Sequence, residues 1–341
     1  MEEKKKKPNF LWRAYMRDGK GVGKEEVIKG YSPLNFFRLY FRRFMNMITI
    51  NLLYIFGNFP ILFLILAISG FFSKNAVAPS SLLFPFLNGI STAGGSSPEL
   101  SVLFGIAGVT ENVYVPNTAT YILYGIGALI VVTFGLVNVG CTYLIRETVR
   151  GEHVFVFEDF FSTIKKNFWQ GLGFGIFDLV VLALCLYANN SYLVNYSNYS
   201  ILFFSSVAMT ILYLFVRFYI YLMIVTFDLK PFQILKNSFI FAILAFGRNF
   251  LSLLACAALA AVALFASQLF MPIGVIMVVI LMFSTMTYIT MYICFPKVEK
   301  LMIEPYYAEH PEERPESEKE YDQDEKLDKD DIKKGSSYLE Q

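Results

Sequence analysis

The sequence predicts an all-α membrane protein: six transmembrane helices form three helical hairpins, each preceded by a cytoplasmic amphipathic interfacial helix, with both termini in the cytoplasm. Three observations carry this expectation. The chain is 55% hydrophobic and 17% aromatic, with a mean hydropathy of +0.50, too apolar for a soluble chain of 341 residues. Its apolar residues are gathered into long uncharged runs, which a soluble core does not require. Its Lys and Arg residues, apart from Lys74 and from Arg217 inside a run, fall in alternate connections between those runs, as the positive-inside rule demands.

Taken in order, residues 1–43 form a basic N-terminal segment with twelve Lys or Arg against five Asp or Glu, ending in an interfacial helix. The opening MEEKKKKPNF is not followed directly by a short apolar core and a cleavage site, so a cleaved signal peptide is not expected. The membrane domain covers 44–296. A crossing helix needs roughly 20 apolar residues, and runs of that kind lie at about 45–70, 119–145, 168–188, 200–226, 249–270 and 272–295. The last two are one continuous apolar run, and Met271-Pro272 is the natural place to fold it into a hairpin. The long external loop 71–118 is rich in Gly, Ser and Pro, and Pro98-Glu99 can open a short helix through about Gly108. A second external loop carries three Asn-x-Ser triplets, at Asn189, Asn195 and Asn198; in an Asn- and Ser-rich segment these are frequent by chance, and no glycan is assigned. Residues 297–341 form an acidic tail, eight basic against fifteen acidic residues, expected to be disordered in the cytoplasm.

The charged island from Arg146 to Phe168 separates the second and third spans. In it Phe157, Phe160, Phe161, Ile164 and Phe168 recur at helical spacing, with Glu158 and Asp159 at the start and Lys165 and Lys166 at the end. That is an amphipathic helix whose dipole is complemented at both ends. Related aromatic and basic segments precede the first span (NFFRLYFRRFMNM) and the fifth (FQILKNSFIFAILAFGRNFLS). Lys166-Asn167-Phe168 and Arg248-Asn249-Phe250 share one pattern. A threefold repeat of interfacial helix plus hairpin is one reading. The other is that inward-running spans generally carry basic and aromatic flanks.

Polar groups within the spans are the best pointers to function or obligatory packing. Asp178 lies about ten residues into the third span and Arg217 about nine before the end of the fourth, so both sit roughly 15 Å deep. Asn51 in the first span and Asn138 in the second come out at a similar depth, giving one candidate polar layer of Asp178, Arg217, Asn51 and Asn138. An ion pair that locks the bundle is the simpler reading; a binding site or permeation path at mid-membrane is the other. Gly171 and Gly175 form a GxxxG spacing, and Gly125, Gly127, Gly135 and Gly140 line the second span, permitting close helix approach.

The four cysteines all fall within apolar runs and read as small core residues rather than a disulfide framework. His153 and His310 are the only histidines, and no phosphate loop, nucleophile elbow or paired CxxC is present. Neither catalysis nor a cofactor is expected, nor a nucleic-acid partner.

The run Gly140 to Gln170, GCTYLIRETVRGEHVFVFEDFFSTIKKNFWQ, resembles the signature of the YesL family of bacterial membrane proteins, whose biochemical role is largely undefined. Arg150, Gly151, Glu152, Phe160, Phe161, Lys165, Lys166, Asn167 and Phe168 match its pattern. In the first span Asn51-Leu52-Leu53-Tyr54 and Pro60 add to the likeness, which covers most of 36–295. The N-terminal extension, the loop 71–118 and the acidic tail exceed the family's compact core, and Ile61-Leu62-Phe63-Leu64 stands where relatives often have Thr and Gly. Relatives commonly occur beside carbohydrate ABC importers. The resemblance therefore implies a multi-pass protein of the bacterial plasma membrane, an accessory subunit whose partners are the lipid bilayer and ABC permease subunits, with an oligomeric state that the residues leave open. Arg150, Glu152, Phe160, Phe161, Lys165, Lys166, Asn167 and Phe168 are the candidate interface or partner contacts. The residues themselves keep an autonomous small-solute transporter or channel in view.

Overall fold

The computed structural model describes residues 31–79, 81–93, 97–107 and 110–313. The basic stretch 1–30 and the tail from 314 lie outside the described residues. Five helices are long and apolar enough to cross a membrane: Thr118–Arg150, Phe168–Val194, Tyr196–Thr226, Phe246–Leu269 and Met271–Glu309. A sixth apolar stretch is a bent pair, α2 (Phe44–Gly57) and α3 (Pro60–Ile68), which meet at 49°. Pro60 explains the bend, because its ring removes the N–H that would continue the ladder to Phe56 and clashes with that turn.

Within the long second run, α6 (Thr118–Gly127) continues into α7 (Ile130–Arg150). The third and fourth runs are α9 (Phe168–Val194) and α10 (Tyr196–Thr226). The fifth is α12 (Phe246–Leu269), and the last comprises α13 (Met271–Met277), a π-helical segment Val278–Met282, and α14 (Phe283–Val298). The last two runs are separated at Phe270, which is extended (φ −156°, ψ 102°), just ahead of the expected Met271-Pro272. At the hub is α7, which packs against α2, α9, α10 and α14. Glycine makes this possible: a Cβ on Gly135 would lie 2.5 Å from the Cα of Gly175, and one on Gly140 would lie 2.5 Å from the Phe160 ring. Gly125, by contrast, faces nothing within 4 Å.

Short helices precede three of the runs, as expected: α1 (Pro33–Arg42), α8 (Val156–Lys166) and α11 (Pro231–Leu244). Ser32 caps α1 by accepting from Asn35 N at 3.2 Å. Asp159 closes the start of α8, its Oδ2 accepting from Phe155 N at 2.8 Å. Each short helix joins its span through one non-helical residue of nearly the same geometry: Arg43 (φ −111°, ψ 25°), Asn167 (φ −108°, ψ 24°) and Ala245 (φ −102°, ψ 23°). The bonding is also the same, since each break residue donates to the carbonyl four back and accepts from the N–H four ahead. This supports a threefold unit and corrects its register. Asn167 is equivalent to Ala245, not to Asn249, which lies one turn inside its span. The third copy also departs in character: α1 and α8 are amphipathic, whereas α11 is apolar on average, its polar residues Gln233, Lys236, Asn237 and Ser238 all lying within 231–238.

Three further departures are plain. The loop 71–118 is not purely irregular or helical: β1 (Lys74–Pro79) and β2 (Thr110–Val115) pair antiparallel, Lys74 opposite Val115 and Pro79 opposite Thr110. Between them lie α4 (Phe84–Thr92) and the expected helix, α5 (Pro98–Ala107). The segment 189–199 is helical except at Asn195 and a kink at Tyr199. Its Asn189 amide is engaged, Nδ2 donating to Thr210 Oγ1 at 3.0 Å and Oδ1 accepting from Ser206 at 2.6 Å. Lastly, 297–309 is not a free tail but the helical continuation of α14 through a π turn (Glu299–Ile303) and α15 (Glu304–Glu309). Tyr31 donates to Glu299 at 2.8 Å and Tyr292 to Ser32 O at 2.7 Å, so α1 and the end of the last run share one end of the bundle. Burial beside the Glu299 carboxylate raises the Tyr31 phenol above its ordinary range.

Candidate functional site

Asp178, on the inner face of α9, is 2% exposed. Its carboxylate is filled by the chain's own donors. Arg217 Nε reaches Oδ1 at 2.9 Å and Oδ2 at 2.7 Å, Tyr213 donates to Oδ1 at 2.8 Å, and Tyr221 donates to Oδ2 at 2.7 Å. Tyr213, Arg217 and Tyr221 are spaced by four on α10, which places them on one helix face. Arg217 Nη2 also donates to Asn138 Oδ1 at 3.2 Å, and Asn138 Nδ2 is tied to Phe134 O at 2.8 Å. The guanidinium lies between two rings, 5.4 Å from the centroid of Phe134 and 5.2 Å from that of Tyr221, the geometry of cation–π attraction. Three of the four residues assigned to one polar layer are thus joined directly.

Asn51 is not part of that junction. It is fully buried and turns toward the π-helical segment Val278–Met282, where Nδ2 donates to Val278 O at 3.0 Å and Val279 O at 2.7 Å, while Oδ1 accepts from Ser284 N at 3.0 Å. A π turn breaks the regular ladder and frees backbone groups. In an apolar surround those groups need partners, and one amide satisfies three of them.

Beside the Arg217 cluster lies a cavity of about 190 Å³. Its walls come from five runs: Tyr54 of α2, Asn138 and Thr142 of α7, Arg217, Phe218 and Tyr221 of α10, Ser252 and Cys256 of α12, and Thr287 and Thr290 of α14. Tyr54, Asp178 and Cys256 each stand eleven residues beyond their break residue. The three equivalent positions of the repeat therefore converge on this one region. Asn249 forms a second polar knot under the cavity, its Oδ1 accepting from Tyr219 at 2.8 Å and its Nδ2 donating to Ala242 O at 2.9 Å.

The residues matched to the family signature divide. Phe160 is buried, 4% exposed, and packs on Gly140, so it serves the fold rather than a partner surface. Asn167 forms the break and donates to Thr163 O at 3.1 Å. Phe161, Phe168, Lys165 and Lys166 are exposed, and Arg150 and Glu152 half-exposed around Gly151, whose φ of 81° closes α7 and whose carbonyl accepts from Arg43 at 2.9 Å. Arg146 and Glu147, both 8% exposed, form a buried pair. Arg146 also donates to Val225 O and Thr226 Oγ1, capping the end of α10.

Sequence reasoning missed Tyr213, Tyr221 and Tyr54, because in a chain with 21 Tyr and 35 Phe a tyrosine reads as packing. The available signal was the spacing of Tyr213, Arg217 and Tyr221. It also missed the Arg146–Glu147 pair, which lies within the charged island yet is buried. Among the described residues no group of three His, Cys, Asp or Glu side chains comes together.

A family model described as a protein of unknown function, DUF624, the family that groups YesL-like proteins, matches residues 113–189, which span the hub helix and the island. No curated protein and no solved structure matches the chain.

Proposed function

We propose that this multi-pass chain, with its match to the family of YesL-like proteins, is a non-catalytic accessory subunit of a carbohydrate ABC importer in the bacterial plasma membrane, assisting the importer's assembly or activity. The bent pair α2–α3 then counts as one crossing: 14 and 9 helical residues give about 35 Å of path against a core of about 30 Å. Six crossings place both ends on one side, and the clustering of Lys and Arg at the end bearing α1, α8 and α11 makes that side the cytoplasm.

The observation that carries this reading is the saturation of Asp178. A carboxylate that couples transport must exchange a proton or ion during the cycle; here its oxygens are occupied by Arg217, Tyr213 and Tyr221. Such a group locks α9 to α10. The aromatic flank at the α8 end, with Phe157, Phe161 and Trp169 exposed, is the surface offered to the interface or to a permease. Affinity purification of the full chain in mild detergent should recover permease subunits of a sugar importer. Repeated recovery of the protein alone overturns this.

A second reading, an autonomous small-solute transporter, is favoured by the cavity beside Arg217. Its mark is uptake by the purified protein in liposomes that is abolished by Asp178→Asn.

A further inference from the structure

The cavity presents two chemically distinct walls. On one side Arg217 keeps a quarter of its side chain exposed. With Nε and one Nη2 proton committed to Asp178 and Asn138, its Nη1 donors have no protein partner among the described residues. Among the hydroxyls that line the cavity, three have their protons already spent on the helix backbone. Ser252 donates to Asn249 O at 2.8 Å, Thr287 to Phe283 O at 3.0 Å and Thr290 to Met286 O at 3.0 Å. With Thr287 so committed, Tyr54 becomes the donor in its 3.2 Å contact with Thr287. What these groups keep for an occupant is lone pairs, one of those on Thr290 being shared with the Cys256 thiol at 3.6 Å.

This asymmetry selects the occupant. An anion would face the hydroxyl lone pairs, and because Asp178 neutralises Arg217 it would bring a net charge into an apolar surround at a cost of several kcal/mol. A cation would face the guanidinium. A neutral solute carrying several hydroxyls meets both walls, accepting from Arg217 and donating to the hydroxyl wall. Phe218 supplies an apolar face for its C–H groups. A cavity of about 150 Å³ holds one benzene, and this one, about 190 Å³, has room for a single ring of that size.

We infer that this cavity is a binding site for one small neutral polyhydroxylated solute, about the size of a single six-membered ring. The site is a property of the chain itself and goes beyond the accessory reading. Absence of a copurifying permease, or of flux in liposomes, leaves the binding result standing.

The test is thermal unfolding of the full chain in nanodiscs titrated with erythritol and glucose, and in parallel with lactate and inorganic phosphate. Bulk polyol stabilisation grows steadily with concentration, so the signature of a site is saturation at low concentration. Saturable stabilisation by a polyol and none by either anion is expected. Ser252→Ala and Thr290→Val, which remove one acceptor each and leave Arg217 in place, should weaken the apparent affinity roughly 5- to 10-fold without lowering the melting temperature of the empty protein. Saturable stabilisation by an anion, no saturable response to either polyol, or affinities unchanged in both variants overturns the proposal.

Discussion

The balance of charge at Asp178 is decided by its neighbours rather than by Arg217 alone. Two tyrosine hydroxyls share the carboxylate with the guanidinium, and hydrogen bonds to an ionised group are about twice as strong as neutral ones. Removing one partner of a buried pair leaves an uncompensated charge and costs about 3–5 kcal/mol. Asp178→Ala should therefore lower the melting temperature in detergent sharply, and the double change Asp178→Asn with Arg217→Gln should recover a large part of the loss. If the double variant melts no higher than Asp178→Ala, the pair is not what holds α9 to α10. A simple exchange of the two charges is the weaker test, because Tyr213 and Tyr221 would then stand against a guanidinium. At Asn51 the prediction differs. Asn51→Leu keeps the volume and strands buried carbonyls at Val278 and Val279, which costs about 1–3 kcal/mol. Amide exchange should accelerate across 278–284 and stay unchanged in α9; equal acceleration in both would show that Asn51 is not specific to the π turn.

Among the elements, the contact between α7 and α9 is the tightest test of packing. A Cβ on Gly135 meets the backbone of Gly171 and Gly175 rather than a mobile side chain, so the helices must part. Overpacking costs about 1–3 kcal/mol, and Gly135→Ala should fall at the upper end. Gly173→Ala, with nothing within 4 Å, should change stability by less than about 0.5 kcal/mol. Equal melting temperatures for the two would refute the close approach. The spacing of Gly171 and Gly175 was legible as a contact motif, but not which span they meet, because the motif specifies only that a backbone can come near. The repeat was legible in outline for a similar reason. Aromatic and basic residues mark a segment as interfacial without fixing its phase, and Asn167 and Asn249 look alike in sequence while standing one turn apart in the unit.

For the molecule as a whole, topology gives the broadest prediction. In a background with Cys185→Ser and Cys256→Ser, with Cys141 and Cys294 fully buried, Lys165→Cys and Glu309→Cys should react with a membrane-impermeant thiol reagent only once the cytoplasmic face is opened, whereas Ser97→Cys should react in intact cells. The reverse pattern would invert the protein. Hydropathy alone located the long apolar helices and the break near Met271, because a helix that crosses a bilayer must satisfy its own backbone bonds within about 20 residues. Charge alone gave the alternation of connections, and depth along antiparallel helices brought Asp178 to Arg217, because both follow from one-dimensional counting. The bend at Pro60 was foreshadowed by the residue and the π turn was not. Which spans touch, that Asn51 leaves the polar layer for the last run, and that Ser252, Thr287 and Thr290 line one cavity with Arg217 were decided only by the tertiary structure. Those facts depend on how helices rotate about their axes, and in a bundle where nearly every face is apolar the sequence carries little information about rotation until the helices meet.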